Sequence, residues 1–315
     1  MARPVQFRFP RPAARRPRGL LGRGLTLLAA IVAVAAAAPP YTLAPYKDEL
    51  FAYQNVLQSE FDGDFLLVDY DRPRDLYNRD EIKLEKVKPD YIDLSTGAVQ
   101  VDRSLAVAGR KVNYTAVGKV DGDARAIVLF VHGRGTNRAS GASDLIHGGN
   151  FNRVKNLMMR NDGLYISADF TDFGKRGTAE MKALVLDQAA RSPGAPVFLA
   201  CGSWGGKICW RLIYDGATAP LIKGVVFLDS EMSDDFIARA ATLPPGQRPA
   251  IHISNSMEDW ILGYKSQLAF FQRMKAEVPG YPIRFVLFDE GTHGISLRMT
   301  DWRQVLNWML AVDAP

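Results

Sequence analysis

The chain is poor in the residues that build metal sites and disulfide scaffolds. It has 2 Cys, Cys201 and Cys209, and 4 His in 315 residues. Two cysteines cannot staple a small disulfide fold, and there is no Cys-x-x-Cys or His-x-x-x-His spacing. The sequence therefore gives no reason to expect a metal enzyme. It also lacks a long hydrophobic run. The longest, residues 25–38, spans 14 residues, short of the ~20 needed to cross a bilayer. Acidic residues are missing from the first forty positions, which hold seven Arg (Arg3, Arg8, Arg11, Arg15, Arg16, Arg18, Arg23). Without those seven charges the net charge of +5 becomes −2 for residues 41–315. The body is mildly acidic, and nucleic acid is not an expected partner.

What remains is a globular composition, 47% hydrophobic and 23% charged, long enough for one large core or two smaller ones. A basic start, an apolar run and small residues up to Pro39-Pro40 describe a secretory signal in residues 1–38, with Ala35 and Ala37 fitting an A-x-A cleavage pattern. The alternative is retention as a membrane anchor through residues 20–40. Either places the body outside the cytoplasmic membrane if the source is bacterial: exported to the periplasm or cell exterior, or membrane-associated through the N-terminal segment. Cys201 falls at a strand end and Cys209 two turns along the next helix. A helical rise of 1.5 Å per residue separates them by roughly 10 Å, beyond disulfide reach, so two buried free thiols are expected.

Residues 39–95 read as an N-terminal extension on or near a catalytic domain at 96–315. Within the extension only a short strand near 65–70 is legible. Alternating residues at 99–107 and 111–117 around Ala108-Gly109-Arg110 predict a hairpin. Apolar runs at 126–131, 163–168, 196–201, 224–229, 250–255 and 283–288 then alternate with helical stretches near 151–160, 178–191, 203–214, 234–241, 264–277 and 302–311. Continuous apolar strands separated by helices imply a doubly wound, mostly parallel α/β sheet with helices on both faces. Ligand chemistry in such a sheet belongs at the carboxyl ends of its strands.

Four motifs stand at those ends. The run to Cys201 continues Gly202-Ser203-Trp204-Gly205-Gly206, a strand, a sharp turn and a helix start with Ser203 at the apex. Small residues two before and two after a nucleophile permit that turn. Cys201 stands where Gly is usual. The strand 127–131 ends in His132-Gly133-Arg134-Gly135, a loop that can present a backbone N–H. The N–H groups of Trp204 and Arg134 are the expected oxyanion donors. His293 follows the last strand and can act as a general base. Of the other histidines, His252 reads as a satisfied core residue, His132 as structural and His147 as exposed. The acid orienting His293 is Asp259, with Asp229 and Glu258 as alternatives. The Arg134 side chain could clamp an anionic group, and Trp204 and Trp260 could line an acyl pocket.

Together these motifs resemble the α/β-hydrolase superfamily over about residues 100–312. The order Ser203, Asp259, His293 is the order that superfamily uses. The resemblance implies a serine nucleophile, a histidine base, an acidic orienter and no cofactor. Its expected activity is an esterase acting on a small-molecule or surface-displayed ester. The alternatives are an acyltransferase with the same triad, or a non-catalytic envelope binding protein of the same fold. Only about twenty residues separate the strands near 229 and 250, so no large cap is expected there.

Overall fold

The computed structural model describes residues 41–84 and 86–312; the expected signal at 1–38 lies outside them. The rhythm of apolar runs resolves into strands β1 (Val56–Glu60), β2 (Phe65–Val68), β3 (Val101–Val107), β4 (Arg110–Gly118), β5 (Ile127–Val131), β6 (Leu164–Ala168), β7 (Val197–Gly202), β8 (Ile222–Leu228), β9 (Ala250–Ser256) and β10 (Ile283–Phe288). Among the described residues these ten form one sheet in the order β1-β2-β10-β9-β8-β7-β5-β6-β4-β3. From β2 to β6 every neighbour is parallel, and antiparallel pairs close both edges. The main helices are α1 (Asn150–Arg160), α2 (Lys175–Arg191), α3 (Gly206–Tyr214), α4 (Asp235–Thr242), α5 (Tyr264–Glu277), α6 (Ile295–Met299) and α7 (Trp302–Ala311).

The strands read as unbroken apolar runs because both faces are covered. On one face Leu129, Val131, Leu199 and Phe227 pack under α2, α3, α4 and α5, through Leu184, Ile208, Phe236 and Phe270. On the other, Val128, Phe130, Phe198 and Ala200 meet Val154 and Leu157 of α1 and Trp302 and Leu306 of α7. Alternate residues of one strand thus serve two cores. Between β8 and β9 stand only α4 and the short turn Pro245–Gln247, so the opening above the sheet has no large cap at that point.

The residues read as an N-terminal extension contribute β1 and β2, and β2 pairs in parallel with β10. This segment is also tied down by charge. Arg153, fully buried, bonds Asp48 at 3.0 Å and Asp301 at 2.8 Å, and Arg298 pairs with Asp80.

The cysteines depart from expectation. Cys201 and Cys209 form a disulfide with Cα atoms 6.5 Å apart. Rise along a helix axis was the wrong measure, because the chain reverses at Ser203 and lays α3 back against β7. Both residues face the same core.

Candidate active site

Ser203 sits between β7 and α3, in the single turn Ser203–Gly205. Its φ of +49° is strained for a residue with a side chain. The turn is tight because Gly205 touches β5: a Cβ there would overlap the carbonyl oxygen of Val131. The loop at 132–135, where an oxyanion donor is expected, is equally close. A Cβ on Gly133 would lie 3.0 Å from Ser203 Cβ and 3.7 Å from its Oγ. Gly133, next to Arg134, is therefore packed against Ser203, and Trp204 stands in the first turn of a helix, where backbone N–H groups have no intrahelical acceptor.

His293 leaves β10 through a short loop and reaches Ser203. Its Nε2 lies 3.0 Å from Ser203 Oγ, and its Nδ1 lies 2.8 Å from Asp259 Oδ2. The other oxygen of Asp259 accepts from the N–H groups of Ile261 at 2.8 Å and Leu262 at 2.9 Å. A carboxylate can only accept, so Nδ1 carries the proton and Nε2 offers its lone pair to the serine hydroxyl. The largest influence on His293 is burial, which disfavours the imidazolium. The Asp259 hydrogen bond and the charges of Asp229 and Asp259 outweigh it, and the His293 pKa is raised above 6.5.

All three candidate acids touch the histidine loop, each differently. Asp259 holds the ring. Glu258 accepts from the N–H of Gly291 at 3.0 Å and pairs with Arg72 at 3.1 Å. Asp229, fully buried, accepts from the N–H of Gly294 at 3.0 Å and from Ser296 Oγ at 2.8 Å. Burial raises its pKa to about 7, against the lowering influence of the Ser296 bond and the charge of His293.

Several other expectations need correction. His252 is buried but not satisfied: neither ring nitrogen has a hydrogen-bond partner. Burial, then Arg284, lowers its pKa to about 3, so it is neutral. His147 is not exposed. It packs edge-on to Phe151 at 5.6 Å, and burial followed by the Arg298 charge lowers it to about 4. Trp260 lines no enclosed pocket. It is 80% exposed. Arg134 lays its guanidinium on the Trp204 ring at 4.4 Å, with Lys207 Nζ 3.9 Å from that ring's centre. Among the described residues no group of three or more His, Cys, Asp or Glu is placed to hold a metal ion.

Sequence reading missed Ser256, Ser296 and Tyr70. Ser256 Oγ donates to the carbonyl of Thr292 at 3.2 Å, and the Tyr70 N–H donates to Asp289 at 2.8 Å. No spacing rule signals such long-range supports. Only the proximity of Ser296 to His293 in the sequence gave a hint.

No protein-family model and no curated protein sequence matches the chain. Solved structures do. An esterase from Pyrococcus furiosus superimposes with a TM-score of 0.50 at 13% identity, covering 69% of this chain and 94% of its own. A thermostable esterase gives a TM-score of 0.50 at 13% identity, over 67% of this chain and 62% of that one. At such identity the likeness concerns architecture alone, and with the sheet order and the elbow described above it identifies the chain's fold as that of the α/β hydrolases.

Proposed function

We propose that the protein is a serine hydrolase that cleaves carboxylic esters through an acyl-enzyme on Ser203. The observation that carries this reading is the unbroken chain Asp259–His293–Ser203, with links of 2.8 and 3.0 Å. Ser203 Oγ attacks the ester carbonyl carbon as its proton passes to His293 Nε2. Asp259 orients the ring and stabilises the imidazolium. The N–H groups of Trp204 and Arg134 are assigned to the tetrahedral oxyanion, where each such donor contributes about 10²–10³ in rate. The C–O bond to the alcohol then breaks, and His293 returns the proton to the leaving oxygen. Water, activated by the same histidine, releases the acid.

The test is labelling of the full-length protein with a fluorophosphonate probe, beside a Ser203→Ala variant. Labelling of the wild type alone supports an activated serine. Absence of labelling in folded wild type would sink the reading. We also assign the protein to an exported location. The basic, apolar N-terminus supports this, and so does a disulfide, which forms preferentially in oxidising compartments. Fusion of residues 1–40 to a reporter active only outside the cytoplasm tests it, and an inactive reporter would refute it.

A further inference from the structure

The peptide between Gly133 and Arg134 is held from one side. Its carbonyl oxygen, on Gly133, accepts from Thr136 Oγ1 at 2.9 Å and from His132 Nδ1 at 2.9 Å. A carbonyl can only accept, so Nδ1 of His132 carries a proton. The N–H of Arg134 belongs to the same peptide plane. No described peptide bond is cis, and across a trans peptide the N–H points opposite to the carbonyl. Two donors that fix the carbonyl therefore fix the Arg134 N–H, aimed away from both of them. His132 and Thr136 line a cavity with Arg138, Asp169 and Phe170, and its wall includes none of Ser203, Trp204, Asp259 and His293.

The loop is fastened at both ends to one segment, residues 169–174, which follows β6. The His132 ring stacks on Phe170, with 4.1 Å between centroids and 15° between planes. Two residues past Thr136, Arg138 gives its backbone N–H to Asp169 at 2.9 Å and its Nη1 to the other oxygen at 2.7 Å. The segment is anchored in turn. Thr171 gives its N–H and its hydroxyl to the two oxygens of Glu180, at 2.6 and 2.5 Å, and Glu180 is a buried residue of α2. Asp172 accepts from the N–H groups of Gly174 at 2.7 Å and Gly177 at 3.1 Å. The same segment also reaches Trp204. Phe173 stands edge-on to Phe170 at 5.2 Å and to Trp204 at 5.8 Å, and the Arg134 guanidinium lies 4.4 Å from the Trp204 ring centre. The contacts thus close a circuit through His132, Phe170, Phe173, Trp204 and Arg134.

We infer that the segment 169–174 braces the oxyanion hole, and that Thr136, His132 and Phe170 are positioning residues that aim the Arg134 N–H at the oxyanion formed on Ser203. The inference rests on the hydrolase reading above. Arg134 stands between Gly133 and Gly135, and glycine gives the backbone little stiffness of its own. Outside contacts must therefore set the direction of its N–H. Trp204 needs no such help, because the first turn of its helix sets its N–H. A donor aimed before substrate arrives costs no reorganisation when charge develops, and this is the source of its effect on rate. None of the three positioning residues touches the reacting atoms. They act through the 133–134 peptide.

The experiment removes the two supports singly and together in the full-length protein, with p-nitrophenyl acetate as substrate. Thr136→Val deletes the hydroxyl and keeps the branched shape, and Thr136→Ser restores it. Phe170→Leu deletes the ring that stacks on His132. Thr136→Val and Phe170→Leu should each lower kcat by about threefold to tenfold with KM little changed, because the donor acts on the transition state. The double variant should lose about 10² in kcat, the cost of an absent oxyanion donor, while Thr136→Ser stays within about twofold of wild type. A trifluoromethyl ketone, which forms an oxyanion on adding to Ser203, gives a readout that loosened packing alone would not move. Its Ki should rise in step with the loss of kcat/KM. Thr136 is exposed, so Thr136→Val tests the inference even where Phe170→Leu fails to fold. With a native fold by circular dichroism, any of three results would overturn the inference: Thr136→Val with wild-type kcat, a loss carried by KM, or Thr136→Ser as slow as Thr136→Val. Fluorophosphonate labelling separates the failures. Labelled wild type with any of those results refutes only the brace, whereas unlabelled wild type refutes the hydrolase reading and this inference with it.

Discussion

Ser296, three residues beyond His293, donates its hydroxyl to Asp229 at 2.8 Å. With the Gly294 bond, it makes Asp229 a support for the turn that delivers His293. Asp229→Ala should release that turn and lower kcat by about tenfold or more, because small misplacements of a catalytic group are costly. Asp229→Asn keeps an acceptor and should lose less. The asparagine also removes the negative charge that Asp229 carries once pH rises through its own pKa of about 7, a charge that raises the His293 pKa. The base must be neutral to work, so the acid limb of kcat/KM should move to lower pH in this variant. A pH profile on a p-nitrophenyl ester reads the shift, and an unmoved limb would show that His293 does not feel the charge.

The same residue makes a statement about stability. Its native pKa, about 7, lies above the ordinary value of 3.8. Between these values the native state holds a proton that the unfolded chain has lost. The contribution is complete below pH 3.8 and is lost as pH rises through 7. Asp229→Asn should therefore compare better with wild type at pH 8 than at pH 5. Urea midpoints at the two pH values decide it; a constant difference would remove the linkage.

Asp259 is the acid that meets the ring. Its Oδ1 is occupied by two backbone N–H groups, an arrangement that Asp259→Asn can retain. The variant should fold, yet its amide can offer an N–H to Nδ1 and stabilise the wrong tautomer. A loss of about 10⁴ in kcat is expected, measured with the same ester, while thermal melting stays close to wild type. A loss under tenfold would move the orienting role elsewhere.

The elbow, the oxyanion loop and the histidine were legible because each lies within a few residues of a strand end, where local pattern suffices. The disulfide was not. Its geometry depends on α3 folding back on β7, a tertiary fact that spacing along a helix axis cannot supply. The division of labour among Asp229, Glu258 and Asp259 was equally hidden. All three follow strands of the same edge, and only the path of the histidine loop decides which acid meets the ring and which meet backbone. β1 was missed because Val56 and Leu57 are exposed, so the strand shows no buried alternation.

The Cys201–Cys209 disulfide closes a short loop around the nucleophile, and both sulfurs belong to fully buried residues. Cross-linking so short a loop stabilises by roughly 2–3 kcal/mol in the chain-entropy view. A Cys201→Ala, Cys209→Ala double variant should melt several degrees lower, about 2–4 °C per kcal/mol for a chain of this size. Reductant should leave the native protein oxidised, because the sulfurs are reached only on unfolding. Mass-shift labelling of thiols with and without denaturant measures this. Prompt reduction under native conditions would show that the elbow opens.

Residues 41–95 are expected to be indispensable for folding. β2 pairs with β10, the strand that carries His293 at its end. Removing it would expose a long apolar edge, which invites aggregation. The segment is also the source of Asp48, which bonds both Arg153 and Arg303. A chain beginning at residue 96 should therefore be insoluble or lack cooperative unfolding. Arg153→Ala probes the attachment more gently. It strips a fully buried cation from two carboxylates, and breaking such a buried pair typically costs 3–5 kcal/mol. Asp48→Asn touches the more exposed end and should cost less, because solvent screens that carboxylate. If chemical denaturation placed Arg153→Ala within 1 kcal/mol of wild type, the ionic attachment would be incidental, and the sheet edge alone would hold the segment in place.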